Sequence, residues 1–398
     1  MSNKKKASNA SNSSQVRPVT PNFSSLDSVN LESYDVVGFD LDGCIAEYDQ
    51  EAMIRHIYNR MRNFVELPGV ENVPDLGYWV QTGLVFDTEE KLMVKLNYNR
   101  KICKAMKGFQ ELPLESKNVQ VVQEKVNRYF NNDEEIPALA TTGASESWHK
   151  TKLKMFLDAR ELPAAYAAMQ LADAGSPISY KAIDSAWQKV FDSSDVTDAY
   201  AVKECSVRVK TGLLKLVSGR YRAVFVLTAS SSRRASRVAT SALGTGWQRY
   251  FNYVVTEAPK PGFFATDDPF SAVDTGNMSN LTGAELSVPV GGRGQILSRG
   301  SFSRLLMETK RITGSVTPRC IFLGDNAVQD VMAPKLNGIS SGPSIDTVAV
   351  ESYLRSRNNN ANLVWGPVGH GSGRDESLVG GIIRRYSCYS VSDLGDLF

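Results

Sequence analysis

Residues 36–42 place two carboxylates one residue apart directly after an apolar run, in the order Val-Val-Gly-Phe-Asp-Leu-Asp. Such a run, closed by charges and followed by Gly43, predicts a buried strand that delivers Asp40 and Asp42 to its carboxyl end. Residues two apart in a strand share one side, so both carboxylates enter one cavity, where like charges are costly without a cation. A hard divalent metal ion is the expected cation, although this segment alone is also compatible with a solvated turn.

Three later segments have the same character, a short apolar run that ends in polar residues. They are Ala223–Leu227 before Thr228, Tyr253–Thr256 before Lys260, and Cys320–Gly324 before Asp325. Helical patterns separate these runs, and the sites of α/β sheets lie at the carboxyl ends of strands. We therefore predict an α/β fold with a doubly wound, mostly parallel Rossmann-like sheet.

A long stretch of different character interrupts this pattern after its first strand. It predicts a helix over 53–67, antiparallel strands within 78–87, 91–96 and 101–106, a helix after Ser116 as N-cap, and helices near 148–172, 180–192 and 196–217. The aromatic residues of these helices, Trp187 among them, are most simply core.

The expected division is a disordered polar tail at 1–33, a catalytic core at 34–49 and 200–398, and an α+β cap domain at 50–199. Residues 262–299, rich in Gly, Ser, Asp and Thr, are expected to form a mobile loop.

Composition limits the partners and the kinds of site. The 398 residues carry a net charge of +2 with 42% hydrophobic and 22% charged residues, which gives no electrostatic footprint for nucleic acid polymers or membranes. The five cysteines and three histidines are scattered, so free thiols are expected and a zinc ribbon or a Ser-His-Asp triad is not. No membrane-spanning run or signal core is apparent, so a cytoplasmic location is expected. A homo-oligomer is left open.

The polar residues at the four strand ends match the requirements of phosphoryl transfer. A carboxylate nucleophile needs cations to neutralise the phosphoryl oxygens. Asp40 is expected to attack phosphorus and Asp42 to serve as general acid and then base. Thr228 and Lys260 are expected to contact phosphoryl oxygens. Mg²⁺ is expected to be held by Asp40, the backbone carbonyl of Asp42, and Asp325, while Asp330 orients Lys260 or a metal-bound water.

The order of these four motifs resembles that of the haloacid dehalogenase superfamily. The likeness extends to the cytosolic purine 5′-nucleotidase and related 5′-nucleotidase-domain proteins. It is carried by Gly38-Phe-Asp-Leu-Asp-Gly-Cys-Ile-Ala-Glu-Tyr48, Gly83-Leu-Val-Phe-Asp87, Lys107-Gly-Phe109, Lys260-Pro-Gly-Phe-Phe264, Trp365-Gly366 and Arg384-Arg-Tyr386. The resemblance implies a Mg²⁺-dependent 5′-nucleotidase for purine nucleoside monophosphates such as IMP or GMP, with the cap acting as a lid over the site.

The resemblance also assigns substrate-binding residues. It implies that Phe109 stacks on the base, that Asp173 faces the substrate and that Ser230 contacts it, whereas composition alone makes Phe109 core and Asp173 a helix-end charge. The family often has Tyr-Thr at Gly43-Cys44 and an amide at Ala229, so nucleotide preference stays open. The alternatives are a phosphatase for another small phosphomonoester and a catalytically idle, nucleotide-responsive binding or scaffold protein.

Overall fold

The computed structural model describes residues 28–67, 79–130, 136, 150–177, 179–192, 201–271, 293–341, 344–351, 364–365 and 376–398. Within them, the main element is an eight-stranded sheet in the order β13-β12-β11-β1-β7-β8-β10-β9, with β9 antiparallel to β10 and the other neighbours parallel. Its strands are β1 (Val36–Asp40), β7 (Ala223–Leu227), β8 (Tyr253–Thr256), β9 (Phe270–Ser271), β10 (Gln295–Arg299), β11 (Cys320–Gly324), β12 (Ile345–Val350) and β13 (Tyr389–Val391). The predicted α/β class and the mostly parallel sheet are confirmed.

Strand β1 lies in the middle of this sheet and is buried along its whole length. Its Gly38 is opposite Phe225 on one side and Phe322 on the other. A Cβ added at Gly38 would lie 2.1 Å from Phe225 Cζ, because this ring covers the glycine. A glycine in a strand often marks such a close approach.

Helices alternate with the strands of the main sheet. They are α5 (Val207–Val217), α6 (Ser232–Leu243), α7 (Phe302–Thr313), a π-helix (Ala327–Met332), α8 (Ala333–Ser341) and α9 (Leu378–Tyr386). Ser231 begins α6 as its N-cap, since its side chain accepts from Arg234 N. Asn326 caps the π-helix in the same way, which fixes the chain just after β11.

The segment between β1 and α5 contains a second sheet of five antiparallel strands in the order β5-β4-β3-β2-β6. These strands are β2 (Leu84–Asp87), β3 (Leu92–Leu96), β4 (Ile102–Lys107), β5 (Gln110–Glu111) and β6 (Leu153–Phe156). The helices of this segment are α1 (Gln50–Met61), α2 (Lys117–Tyr129), α3 (Leu162–Asp173) and α4 (Tyr180–Asp192). The five strands, α1–α4 and the described residues that connect them are called the insertion below.

The two ends of the insertion lie side by side. Tyr48 and Val202 form an antiparallel bridge, Asp49 N donates to Ala201 O at 2.7 Å, and Lys203 N donates to Glu47 O at 2.8 Å. The chain therefore leaves and re-enters the main sheet's part of the molecule at one point.

Several local predictions differ from the structure. The helix expected over 148–172 is wrong in its first half, because Leu153–Phe156 is a strand that pairs with β2. Part of the loop expected at 262–299 is ordered, since Gln295–Arg299 pairs with β8. Ser116 precedes α2 but makes no capping hydrogen bond. Leu31–Ser33, inside the expected tail, is a 3₁₀-helix with Leu31 buried. The rest of the expected tail, 1–27, lies outside the described residues.

Apolar clusters connect the insertion to the main sheet. One contiguous cluster contains Phe39 of β1 together with Ile57 of α1 and Tyr166 of α3. A second contains Val94 of β3 together with Val331 of the π-helix and Ile382 of α9. Among the described residues, no helix is both long and apolar enough to cross a bilayer.

Candidate active site

The carboxyl ends of β1, β7 and β8 and the loop after β11 meet at a cavity of about 440 Å³. Such a volume suits a small ligand. Six of the residues predicted from the sequence line it, namely Asp40, Asp42, Thr228, Ser230, Lys260 and Asp325. Asp330 lies behind Lys260 and is completely buried.

Lys260 connects two carboxylates at the base of this cavity. Its Nζ is 2.9 Å from Asp40 Oδ1 and 2.8 Å from Asp330 Oδ1, and Asp330 Oδ2 accepts from Asn326 N at 3.1 Å. Burial opposes the charge on Lys260, but Asp330 and Asp40 outweigh it and raise the pKa of its ammonium group. The lysine is therefore a fixed cation beside the predicted nucleophile.

The carboxylates of Asp40, Asp325 and Asp330 form a cluster that fits a divalent cation. One oxygen from each lies within 4.8 Å of the others. Burial raises the pKa of Asp40 well above its ordinary range, and the nearby Asp330 and Asp42 add to this rise against the opposing effect of Lys260. Burial likewise raises the pKa of Asp325, with Asp158 and Asp40 contributing. A hard cation with oxygen ligands would relieve this repulsion, so the donor set fits Mg²⁺.

Gly43 allows Asp325 to approach the turn after β1. Its φ of +77° is a conformation that other residues rarely adopt, and an added Cβ would lie 2.1 Å from Asp325 Oδ2. The turn is held by Ala46 N, which donates to Leu41 O at 2.7 Å. The glycine thus brings the β1 and β11 ends together at the acidic cluster.

Asp42 is surrounded by hydrogen-bond donors. Tyr48 OH donates to Oδ1 at 2.5 Å, while Thr228 Oγ1 and Ser230 Oγ donate to Oδ2 at 3.1 and 3.2 Å. Burial alone would raise the pKa of Asp42, but Arg160, Arg234 and the hydrogen bonds from Tyr48 and Thr228 hold it far below its ordinary value. Asp42 is therefore an oriented carboxylate.

Arg160 reaches this site from the insertion and was not predicted from the sequence. Its Nη1 is 3.3 Å from Asp42 Oδ1, and its Nε donates to both oxygens of Asp158 at 2.9 and 3.0 Å. Both residues belong to the turn Asp158–Glu161, where Asp158 and Glu161 form a capping box around a 3₁₀-helix. The insertion thus adds a fixed guanidinium to the site.

One side of the cavity is aromatic and basic. Trp187 and Phe191 of α4 line it with ring centroids 4.6 Å apart, and the guanidinium of Arg234 from α6 lies 4.8 Å from the Phe191 centroid. Trp187 Nε1 donates to Arg160 O at 2.8 Å. We call Trp187, Phe191 and Arg234 the aromatic face. Beyond helical spacing, which equally predicts core, no sequence signal marks these three residues.

The structure places two predicted substrate-binding residues elsewhere. The ring of Phe109 packs between Trp79 and Tyr166, at centroid distances of 4.8 and 5.7 Å. Phe109 N donates to Asp173 Oδ1 at 3.4 Å. Neither Phe109 nor Asp173 lines the cavity that contains Asp40. Of the three predicted substrate-binding residues, the structure brings only Ser230 to this cavity.

Comparison with known proteins agrees with this geometry. The chain is 23% identical to 5′-nucleotidase domain-containing protein 1 of Bos taurus over 334 residues, which are 76% of this chain and 70% of that protein. The protein of the same name from Homo sapiens is 22% identical over 332 residues, with 76% and 69% covered. The model of the 5′ nucleotidase family matches residues 25–338, a segment that contains every predicted catalytic and metal-binding residue. With this match over most of its length, the chain belongs to the 5′ nucleotidase family.

Proposed function

We propose that this protein is a Mg²⁺-dependent phosphomonoester hydrolase that removes the phosphate of purine nucleoside 5′-monophosphates through an aspartyl phosphate on Asp40. Membership of the 5′ nucleotidase family supports the 5′-nucleotidase activity. The observation that carries the proposal is the cluster of Asp40, Asp325 and Asp330 beside Lys260, with Asp42 two residues beyond the end of β1. This arrangement combines a nucleophile, a proton carrier and a cation site.

In the first half of the reaction, a carboxylate oxygen of Asp40 forms a bond to phosphorus while the ester P–O bond breaks. The entering phosphate dianion opposes the negative charge on Asp42, so its carboxyl group takes up a proton from solvent, and it then gives this proton to the leaving alkoxide oxygen. In the second half, Asp42 takes a proton from water, the water oxygen attacks phosphorus, and the Asp40–phosphorus bond breaks to release phosphate. Leu41 N orients Asp40 for this role by donating to its Oδ1 at 2.8 Å.

The residues that would hold Mg²⁺ are Asp40, Asp325 and Asp330, together with the backbone carbonyl of Asp42. When bound, the ion would neutralise charge on the phosphoryl oxygens. A phosphate dianion needs this compensation, because Asp42 and Asp158 also border the cavity.

Side chains from both parts of the molecule are available to the phosphoryl oxygens. Lys260 lies beside Asp40, and Arg160 lies beside Asp42, so the cations flank the two carboxylates. The hydroxyls of Thr228 and Ser230 donate to the same oxygen of Asp42 and can turn to a phosphoryl oxygen instead. Such fixed donors stabilise developing charge without reorganisation.

The proposal is tested by measuring phosphate release from nucleoside monophosphates and sugar phosphates, in Mg²⁺ and in EDTA. We expect release from purine monophosphates in Mg²⁺ and loss of release in EDTA. Asp40→Asn should abolish both turnover and the phosphoryl-enzyme trapped by acid quench. Asp267→Asn, an exposed residue paired with Arg304, is the matched control and should keep wild-type activity.

Two results would count against the mechanism. Release that continues at a near-normal rate in Asp40→Asn would exclude the covalent route through this residue. An absence of phosphate release from every monophosphate tested would contradict the enzymatic assignment.

A further inference from the structure

We infer that Tyr48 is a positioning residue for the proposed hydrolysis, and that its hydroxyl makes Oδ2 of Asp42 the oxygen that carries the catalytic proton. The inference rests on the proposed function, because it takes Asp42 as the group that protonates the leaving alkoxide. It extends that function to a residue at the point where the chain enters the insertion, and to one of the two carboxylate oxygens.

Tyr48 contacts Asp42 from outside the catalytic cavity. Its side chain is buried, and its hydroxyl donates to Asp42 Oδ1 at 2.5 Å. Asp42 borders two cavities, the catalytic one and a smaller one of about 30 Å³, and of these two Tyr48 lines the smaller. The hydroxyl therefore acts on the orientation of Asp42 and not on a phosphate bound in the catalytic cavity.

The two carboxylate oxygens of Asp42 have different partners. Oδ1 lies next to the Tyr48 hydroxyl and 3.3 Å from Arg160 Nη1. Oδ2 accepts from Thr228 and Ser230, which both line the catalytic cavity. A guanidinium group only donates, whereas a serine or threonine hydroxyl can also accept. A proton on Oδ1 would thus oppose the guanidinium, while a proton on Oδ2 meets hydroxyls that can rotate.

This difference assigns both proton transfers of the reaction to Oδ2. In the first half, the O–H bond at Oδ2 of Asp42 breaks and the proton goes to the leaving oxygen as the ester P–O bond breaks. In the second half, Oδ2 takes a proton from the attacking water. Tyr48 occupies Oδ1 in both steps, so the carboxyl group stays turned with Oδ2 toward the cavity.

The position of Tyr48 is itself fixed by the returning end of the insertion. Its backbone pairs with Val202, and its neighbours Glu47 and Asp49 hydrogen-bond to the same returning chain. A proton carrier works well only when the groups that orient it are held in place. The junction between the insertion and the main sheet therefore also sets the orientation of Asp42.

A packing role for Tyr48 would involve a similar contact, because a buried tyrosine hydroxyl needs a hydrogen-bond partner. The two roles differ in which substrates depend on the hydroxyl. Orientation of Asp42 matters for the release of a leaving group that must be protonated. Packing of the turn matters for every substrate, since Ile45 N of this turn donates to the backbone oxygen of Asp40 at 3.3 Å.

The test compares two substrates whose leaving groups differ in their need for a proton. IMP releases an alkoxide, whereas 2,4-dinitrophenyl phosphate releases a stabilised phenolate that needs no general acid. The variant Tyr48→Phe keeps the ring and loses the hydroxyl. We expect its kcat/KM for IMP to fall about tenfold or more, the usual scale for one hydrogen bond to a charged group. Its kcat/KM for 2,4-dinitrophenyl phosphate should stay close to the wild-type value, which would also show that the variant folds.

Two further variants calibrate the comparison. Tyr58→Phe is the matched control, since Tyr58 is a buried tyrosine of the insertion whose hydroxyl donates to Gln170 Oε1. It should leave kcat/KM for both substrates unchanged. Asp42→Asn removes the proton carrier itself and should show the same selective loss on IMP, to a larger extent.

The outcomes separate this inference from the proposed function. A loss on IMP in Tyr48→Phe that is no larger than the loss on 2,4-dinitrophenyl phosphate, or no loss on either, would overturn the inference. The hydrolase would still stand if Asp42→Asn kept its selective loss on IMP. Equal losses on both substrates in Asp42→Asn would instead contradict the general acid of the proposed function, and no release from either substrate in the wild type would contradict the hydrolase.

Discussion

Arg160 is the residue through which the insertion adds positive charge to the candidate active site. Asp158 holds its Nε, so Nη1 stays directed at Asp42, and the capping box holds the turn itself. A preorganised cation at a site of developing negative charge is among the larger contributions to phosphoryl transfer. The residue has no counterpart in the motifs that identify the strand ends.

We predict that Arg160→Ala lowers kcat/KM for a monophosphate by about 10², because a fixed donor to the phosphoryl group is lost. Arg160→Lys should recover part of this loss. Lysine restores the positive charge but not the planar guanidinium group that Asp158 orients. Arg311→Ala is the control, as Arg311 is exposed and pairs with Glu308 on its own helix. Wild-type kcat/KM in Arg160→Ala would show that the guanidinium contacts only Asp42.

Asp42→Asn should lower kcat by about 10² while leaving Mg²⁺ binding close to that of the wild type, because its proposed metal contact is a backbone carbonyl. Mg²⁺ binding is measured by calorimetry and kcat by phosphate release. The same loss in metal affinity as in Asp325→Asn would mean that the Asp42 side chain is a ligand. Asp42 would then have been assigned the wrong role.

Among single residues, the sequence identifies those that follow a strand but not those that the insertion brings to the site. Asp40, Asp42 and Lys260 were predicted because each comes after an apolar run, and parallel strands end at one edge. Arg160 lies in a short turn without a strand signal. Trp187 belongs to a stripe of apolar residues on a helix. The spacing of such residues is the same whether they face the core or a cavity.

Among the elements, β1 depends on a glycine between two aromatic rings. Phe225 and Phe322 are its neighbours in the sheet and stack with a centroid distance of 5.9 Å. The Phe225 ring fills the place that a side chain at Gly38 would occupy. The strand that carries Asp40 is thus packed as closely as its backbone allows.

Gly38→Ala should lower the free energy of unfolding by about 1–3 kcal/mol, because the added methyl group overpacks the Phe225 ring. Urea denaturation measures this change. Phe225→Leu in the same chain should recover part of the loss, because it makes room for the added methyl group. If alanine acted only through the backbone conformation, Phe225→Leu would recover nothing. Gly262→Ala is the control, since its added Cβ meets nothing within 4 Å.

The strands differ in how well the sequence predicts them. β1, β7, β8 and β11 are continuous apolar runs with buried faces, and they were all predicted. β6 lies within residues 148–172, for which the sequence pattern predicts a helix. Its pairing with β2 stabilises the extended form, so tertiary contacts override the local pattern.

In the molecule as a whole, the insertion and the main sheet share apolar clusters. Helix α9 contributes Ile382 to a cluster that also holds Val94 of the insertion and Val331 of the π-helix. Tyr98 N donates to Glu376 O at 2.9 Å just before this helix. We therefore expect the insertion and the main sheet to unfold together.

Ile382→Ala should lower the free energy of unfolding by about 2–5 kcal/mol, the range for a buried isoleucine. Thermal unfolding followed by far-ultraviolet circular dichroism and by tryptophan fluorescence should give coincident transitions in the wild type and in the variant. Met307→Ala, at a position that is 50% exposed, should change stability little. Two separated transitions would show that the parts unfold independently.

The bridge between Tyr48 and Val202 has a consequence for how such a chain can diverge. The insertion is an excursion of about 150 residues that begins and ends at neighbouring backbone positions, so its length does not affect the path of the central strands. A lineage can therefore lengthen, shorten or replace this excursion while it inherits the carboxylates of the strand ends unchanged. Substrate range and hydrolytic chemistry are then free to evolve at different rates in one gene.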